Sequence, residues 1–124
     1  MANQGRMIVA VNDDFVRELL AEYFTSAGCD VSEASSAEEA LVAVGRHSPV
    51  VVLLDIGLPD MSGLDVGERI RLAHPETEVV LLTDNEDLGS AFGAIDSLDL
   101  DRLGRAVAAR LRTAPAEALT SAPR

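Results

Sequence analysis

The sequence contains no lysine, a single cysteine and no long hydrophobic run. The one cysteine, Cys29, excludes a disulfide scaffold and favours a reducing compartment, so we expect a cytoplasmic location. A membrane-spanning helix needs about 20 consecutive apolar residues. No segment approaches that length, and the first residues lack the pattern of a signal peptide, so we expect no membrane association. All ten basic residues are arginine, so any mechanism that needs a lysine ammonium requires a partner to supply it.

Basic residues are also few, since 21 acidic side chains face 10 basic ones and the net charge is −11 at pH 7. This balance excludes direct nucleic-acid binding through a basic face. A chain of 124 residues fits one domain and can bury roughly two thirds of its unfolded surface, which is enough for a core without disulfides. We place that domain at residues 6–112. Residues 113–124 are rich in Ala and Pro, and we expect a flexible tail or linker stub there.

Short apolar runs alternate with amphipathic stretches along the chain. The predicted strands are residues 7–11, 29–33, 50–54, 79–82 and, as the weakest candidate, 94–98. The predicted helices are residues 15–27, 36–46, 64–73 and 99–111. This alternation predicts an α/β fold, a doubly wound parallel five-stranded sheet with the flavodoxin-like strand order 2-1-3-4-5.

Polar residues follow three strands that this order makes neighbours. Asn12, Asp13 and Asp14 follow the first strand, Asp55 ends the third, and Thr83 follows the fourth. Carboxyl ends of parallel strands meet at one edge, where the functional site of such sheets lies. Clustered carboxylates need raised pKa values or a cation, and Mg²⁺ suits carboxylate oxygens, a backbone carbonyl and water. A central carboxylate can then act as the nucleophile of phosphoryl transfer, with a hydroxyl donating to the phosphoryl oxygens.

The segment from Asp55 to Leu64, Asp-Ile-Gly-Leu-Pro-Asp-Met-Ser-Gly-Leu, resembles the phosphorylation-site segment of response regulator receiver domains, the CheY-like domains of bacterial two-component systems. The resemblance covers about residues 6–112. It implies that Asp55 is the phosphoacceptor, that Asp13, Asp55 and the Gly57 carbonyl hold Mg²⁺, and that Thr83 is the phosphate switch. It also implies a histidine kinase, a phosphotransfer protein or another signalling protein as partner, with a homodimer as a further option.

The acidic pair of the family can be placed in two ways, because the spacing from the first strand to Arg17 is one residue short. Either Asn12 and Asp13 or Asp13 and Asp14 occupy those positions. Asp13 belongs to both pairs and is therefore our candidate for the metal-facing acid. The first placement keeps the strand register and is slightly favoured, although it weakens the metal site by one charge. Asp14 is then interpreted as the helix cap.

The sequence departs from the family pattern after Thr83. Only nine residues separate Thr83 from Gly93, too few for the usual helix between the fourth and fifth strands, so we expect that helix and the fifth strand to be degenerate. The Lys-Pro segment of the family is missing, and Ser97 stands where the family has an aromatic residue. In the family the lysine pairs with the phosphoacceptor and the phosphoryl oxygens. The guanidinium of Arg102, inside the predicted last helix, would not replace it without rearrangement.

These departures leave two interpretations of the signalling function. The first is an atypical receiver with impaired or altered phospho-switching. The second is a pseudo-receiver that acts as a protein–protein interaction module without phosphorylation. A third interpretation is a phosphatase with an aspartate nucleophile. Such enzymes place a second Asp two residues after the nucleophile, where this chain has Gly57. No Gly-rich phosphate loop of the nucleotide-binding type is present either, which counts against nucleotide chemistry. We therefore expect no enzymatic activity.

Overall fold

The computed structural model describes residues 5–84 and 93–113. Strands and helices alternate along these residues. The strands are β1 (Arg6–Ala10), β2 (Asp30–Ala34), β3 (Val51–Asp55), β4 (Glu78–Thr83) and β5 (Ile95–Asp96). The helices are α1 (Asp14–Ser26), α2 (Ala37–His47), α3 (Gly63–Ala73) and α4 (Leu100–Thr113). Each predicted boundary lies within two residues of the observed one.

The strands form one parallel sheet in the order β2-β1-β3-β4-β5, which confirms the predicted fold class and strand order. The fifth strand is as degenerate as expected, because only Ile95 and Asp96 pair with β4. The prediction that the preceding helix is degenerate falls largely on residues 85–92, which lie outside the described residues. Most of the predicted tail, from residue 114 onward, also lies outside them.

The core has two layers because side chains of a strand alternate between the two faces of the sheet. On one face Val9, Leu53 and Leu82 pack with Phe24 of α1 and Leu103 of α4. On the other face the core includes side chains from the sheet, α2 and α3, among them Ile8, Val52, Leu54, Ala40 and Ile70. The continuously apolar β3 is explained by this arrangement, since both of its faces are covered. Among the described residues, no helix has the length and apolar character that crossing a bilayer requires.

Local capping explains where α1 begins and ends. The Asp13 carboxylate accepts a hydrogen bond from the Val16 amide at 2.9 Å, so Asp13 is the N-cap of α1. The prediction that Asp14 is the helix cap is therefore wrong, because Asp14 is the first helical residue and its carboxylate binds Arg17 instead. Gly28 follows the helix at φ +100°, a left-handed conformation that favours glycine.

The amino terminus of α2 shows a variant of the capping box, which the spacing of Ser36 and Glu39 in the sequence indicates. Ser36 is the N-cap, and its hydroxyl accepts a hydrogen bond from the Glu39 amide at 3.1 Å. The Glu39 carboxylate reaches back to the amide of Ser35 at 2.9 Å, one residue further than the usual reciprocal bond to the N-cap amide. The sequence signal therefore identified the start of the helix correctly, while the glutamate orders the residue before it.

Candidate functional site

The candidate site lies at the carboxyl edge of the sheet, where β1, β3 and β4 end side by side. Asp55 is the last residue of β3 and is partly buried. Thr83 is the last residue of β4 and is buried. The Ile56 amide donates to the Leu82 carbonyl at 2.9 Å, so the chain after Asp55 stays against β4 before it turns away. The parallel topology therefore brings the predicted residues of three separate segments to one edge.

The Asp55 carboxylate is held by two backbone amides. Its Oδ2 accepts a hydrogen bond from the Asn12 N–H at 3.2 Å, and its Oδ1 accepts one from the Gly57 N–H at 2.8 Å. One donor comes from the loop after β1 and the other from the loop after β3. A carboxylate has about four acceptor positions, so further ligands can still bind. Asn12 contributes its backbone here, and this contact would be available to any residue other than proline.

The loop after β1 is ordered by Arg17, which is a partly buried side chain of α1. Its guanidinium donates to the Val11 carbonyl at 3.0 Å, contacts the Asp14 carboxylate at 2.5 Å and lies 3.4 Å from the Glu33 carboxylate. The hydrogen bond that Arg17 donates to Asp14 is the main cause that raises the pKa of Arg17. Asp14 is thus engaged in an ion pair, whereas Asp13 uses one carboxylate oxygen to cap α1.

The glycines of the loop after β3 differ in what they contribute. A Cβ atom at Gly57 would lie 3.5 Å from Asp55 Oδ1, an ordinary contact, so the backbone amide of Gly57 matters more than its lack of a side chain. A Cβ atom at Gly63 would lie 2.1 Å from the Asp55 backbone oxygen, which no side chain can tolerate. Gly63 also donates its N–H to the Ile56 carbonyl at 2.9 Å. Gly63 therefore allows α3 to begin directly against Asp55.

Asp60, in the same loop, is a residue whose contacts were missed by reasoning from the sequence. Its two carboxylate oxygens accept hydrogen bonds from the Ala37 N–H at 2.7 Å and the Glu38 N–H at 3.0 Å, at the amino terminus of α2. These backbone hydrogen bonds lower the pKa of the Asp60 carboxyl from its usual range. Asp60 and its partners are 22 or more residues apart in the chain, and no local spacing signals such a contact.

The side of the site next to β5 is formed by Thr83 and its neighbours. The Thr83 backbone carbonyl accepts a hydrogen bond from the Ser97 N–H at 3.0 Å, and Thr83 pairs with Asp96. Ser97 therefore follows the two-residue β5 directly. Among the described residues, the hydrogen bonds to the Asp55 carboxylate come from backbone amides rather than from a cationic side chain.

The donor set at this edge is compatible with Mg²⁺. Within residues 5–84 and 93–113, no group of three or more His, Cys, Asp or Glu side chains is arranged to hold a metal ion. Mg²⁺ does not need such a group, because it keeps several waters and binds through one or two carboxylates together with phosphate oxygens. The carboxylates of Asp13 and Asp55 and the carbonyl of Gly57 are donors of this kind, so the residues fit the ion.

The chain is similar to known proteins in sequence and in structure. The sequence model of the family described as "Response regulator receiver domain" matches residues 7–101. A protein-glutamate methylesterase/protein-glutamine glutaminase of Haloarcula marismortui is 35% identical over 104 residues, which cover 82% of this chain and 28% of that protein. The response regulator protein PilR of Pseudomonas aeruginosa is 35% identical over 127 residues, covering 95% of this chain and 28% of that protein. This chain therefore spans less than a third of the length of either relative.

A solved structure shows the same likeness in three dimensions. The response regulator protein TrrA of Thermotoga maritima, crystallised in complex with Mg²⁺ and BeF, superposes with a TM-score of 0.78 at 28% sequence identity. The match covers 86% of this chain and 98% of that chain. The shared fold places the carboxyl edge described above in the same topological position in both proteins.

Proposed function

Since the chain belongs to the response regulator receiver domain family of two-component signalling, we propose that Asp55 is its phosphoacceptor. The observation that carries this proposal is the pair of backbone N–H groups, from Asn12 and Gly57, that hold the Asp55 carboxylate at the edge of the sheet. Two donors from different loops restrict the rotation of the carboxylate. A restricted carboxylate needs less ordering when a phosphodonor arrives.

The reaction is a transfer between two nucleophiles. A carboxylate oxygen of Asp55 attacks the phosphorus of a phosphohistidine or a small acyl phosphate, an oxygen–phosphorus bond forms, and the bond from phosphorus to the donor breaks. The donor leaves with its bonding electron pair. Mg²⁺, held by Asp13, Asp55 and the Gly57 carbonyl, would neutralise negative charge on the phosphoryl oxygens when it is bound.

We further propose that the response to phosphorylation is altered in this chain. Phosphorylation replaces the single negative charge of the Asp55 carboxylate with about −1.5 to −2 charges at pH 7, at an edge that also carries Asp13. The chain has no lysine, and the nearby Arg17 is paired with Asp14 and Glu33. Compensation must then come from the metal ion or from a partner. Thr83 is the switch hydroxyl by position, but Ser97 in place of an aromatic residue gives it no large ring to move.

The test is incubation with acetyl phosphate and Mg²⁺ followed by intact mass measurement. We expect one phosphoryl adduct on the wild type, none on Asp55→Asn, and an unchanged adduct on Asp65→Asn. The last variant is a matched control, because it removes one carboxylate of an exposed residue at the start of α3. No adduct on the wild type, or an adduct that survives Asp55→Asn, would contradict the proposal.

The second candidate function is a pseudo-receiver that binds a signalling partner without phosphorylation. It is favoured by the absence of lysine from the chain and by the two-residue β5. It predicts that Asp55→Ala leaves the affinity for a histidine kinase, a phosphotransfer protein or a second copy of this chain unchanged. A change in affinity larger than about tenfold, equivalent to about 1.4 kcal/mol, would contradict it, because partner binding would then depend on Asp55.

A further inference from the structure

The loop after β3 leads from Asp55 to α3, but one of its residues caps α2. In an ordinary N-cap, the acceptor for the first free amides belongs to the residue just before the helix. In α2 the Ser36 hydroxyl accepts only from Glu39, while the amides of Ala37 and Glu38 donate to the Asp60 carboxylate. Two of the first three amides of α2 therefore find their acceptor 22 or more residues away.

The same loop also buries an apolar side chain. Leu58, two residues before Asp60, is 8% exposed and belongs to the same core cluster as Ala37 and Ala40 of α2. A carboxylate at a helix amino terminus is also favoured by the helix dipole, and its bonds to backbone N–H groups are charge-assisted. The loop is therefore attached to α2 by a charged cap, and its Leu58 is buried in the core cluster to which α2 contributes.

The same loop contacts Asp55 at both of its ends. Gly57 donates its N–H to Asp55 Oδ1 at 2.8 Å, and Gly63 lies so close to the Asp55 backbone that a Cβ atom would overlap it. Asp60 lies between these two glycines in the sequence. A constraint at Asp60 thus acts on the segment that fixes the Asp55 carboxylate.

We propose that Asp60 is a positioning residue for Asp55, which ties the loop after β3 to the amino terminus of α2 and couples the state of the Asp55 carboxylate to that helix. Coupling between two sites is reciprocal, so an event at Asp55 that moves Gly57 is felt at Ala37 and Glu38. This route leads to the face of the sheet that α2 and α3 cover. It does not require β5 or α4, the region where this chain lacks the aromatic residue and the lysine of the family.

The positioning role is tested first without any phosphodonor, by amide hydrogen exchange measured by NMR. We expect Asp60→Ala to speed the exchange of the Ala37 and Glu38 amides by about tenfold or more, because each loses a hydrogen bond to a charged group. The exchange of the Gly57 amide, which is bonded to Asp55 and not to Asp60, should become faster by a smaller factor. Asp60→Asn keeps one acceptor oxygen and should have a smaller effect. Asp65→Ala, which removes an exposed carboxylate from the first turn of α3, should leave all three unchanged. If exchange becomes faster at Ala37 and Glu38 but its rate at Gly57 is unchanged, the proposal is overturned, because Asp60 would then only cap α2.

The coupling is tested with beryllofluoride and Mg²⁺, and this arm alone rests on the proposed function. We expect the amide chemical shifts of Ala37 and Glu38 to change on addition in the wild type and in Asp65→Ala, and to change little in Asp60→Ala. If the wild type binds beryllofluoride and these shifts stay constant, the coupling is refuted. If the wild type does not bind it, the proposed phosphorylation fails, while the exchange measurement still decides whether Asp60 positions Asp55.

Discussion

Replacement of Gly63 by alanine tests how tightly α3 begins against Asp55. The added Cβ atom would lie 2.1 Å from the Asp55 backbone oxygen and 2.8 Å from the Asp55 carbonyl carbon and from Ile56 Cα. These are backbone atoms, so the overlap is relieved only if Asp55 or the first turn of α3 moves. Overpacking costs about 1–3 kcal/mol, and a contact with backbone belongs at the upper end. We expect Gly63→Ala to lower the free energy of unfolding by about 2–3 kcal/mol.

Two other glycines provide matched controls for this substitution. Gly57→Ala adds a Cβ atom at an ordinary 3.5 Å from Asp55 Oδ1, and we expect a change within about 0.5 kcal/mol. Gly45 is exposed on α2 with nothing within 4 Å of its added Cβ, so Gly45→Ala should stabilise the protein by about 0.5–1 kcal/mol. The three substitutions add the same methyl group. We expect stability to fall for Gly63→Ala, to change little for Gly57→Ala and to rise for Gly45→Ala.

Urea denaturation and thermal unfolding measure these differences. For a domain of this size, 2–3 kcal/mol lowers Tm by about 10 °C. Gly63→Ala should also reduce acetyl phosphate labelling per folded molecule, because Asp55 has to move. If Gly63→Ala and Gly57→Ala unfold within about 0.5 kcal/mol of each other, the experimental error of such a comparison, then the close approach of α3 to Asp55 is not a constraint and the reasoning is refuted.

Three further predictions concern separate parts of the molecule. Asp13→Asn keeps the N-cap, since Asn caps as well as Asp, but it should weaken Mg²⁺ binding in calorimetry by about tenfold or more. Asp14→Asn should change Mg²⁺ binding little. If Asp14→Asn weakened it more than Asp13→Asn, the metal would be assigned to Asp14. Thr77 is buried, and its hydroxyl donates to the Pro49 carbonyl at 2.8 Å, so Thr77→Val should cost about 1–2 kcal/mol in urea denaturation, while Thr77→Ser, which keeps the hydroxyl, should cost less. The pKa of Asp60 is lowered in the folded state. The stabilisation from Asp60 is therefore complete above the unfolded pKa of about 3.9 and is lost as the pH falls through the lower folded value. A difference in the free energy of unfolding between the wild type and Asp60→Asn that grows in favour of the wild type on acidification would contradict this prediction.

The secondary structure and the sheet order could be predicted from the sequence because they depend on local patterns. The run Val50–Leu54 is apolar at every position, which is typical of a strand covered on both faces, and β3 is that strand. The capping pattern at Ser36 marked the start of α2. Once the order of parallel strands is known, Asp55 and Thr83 must lie at the same edge, since each ends a strand.

The choice between neighbouring acidic residues could not be predicted in this way. Asp13 and Asp14 have the same chemistry and differ by one position, so pattern alone does not decide which one caps α1. The direction in which the chain leaves β1 decides it, because that direction brings the Asp13 carboxylate to the Val16 amide and Asp14 to Arg17. The expectation for Asp14 was wrong for this reason.

The family, the fold and the three strand ends that meet at the candidate site can be identified from the sequence, because apolar periodicity and turn residues are local properties. The way in which the loop after Asp55 is held depends instead on tertiary packing. Gly63 has to be glycine because the backbone of Asp55 lies so close that a Cβ atom would overlap it. Asp60 is a cap because the amino terminus of α2 lies beside the loop after β3. Such contacts join residues that are distant in the chain, and they exist only once the elements have packed.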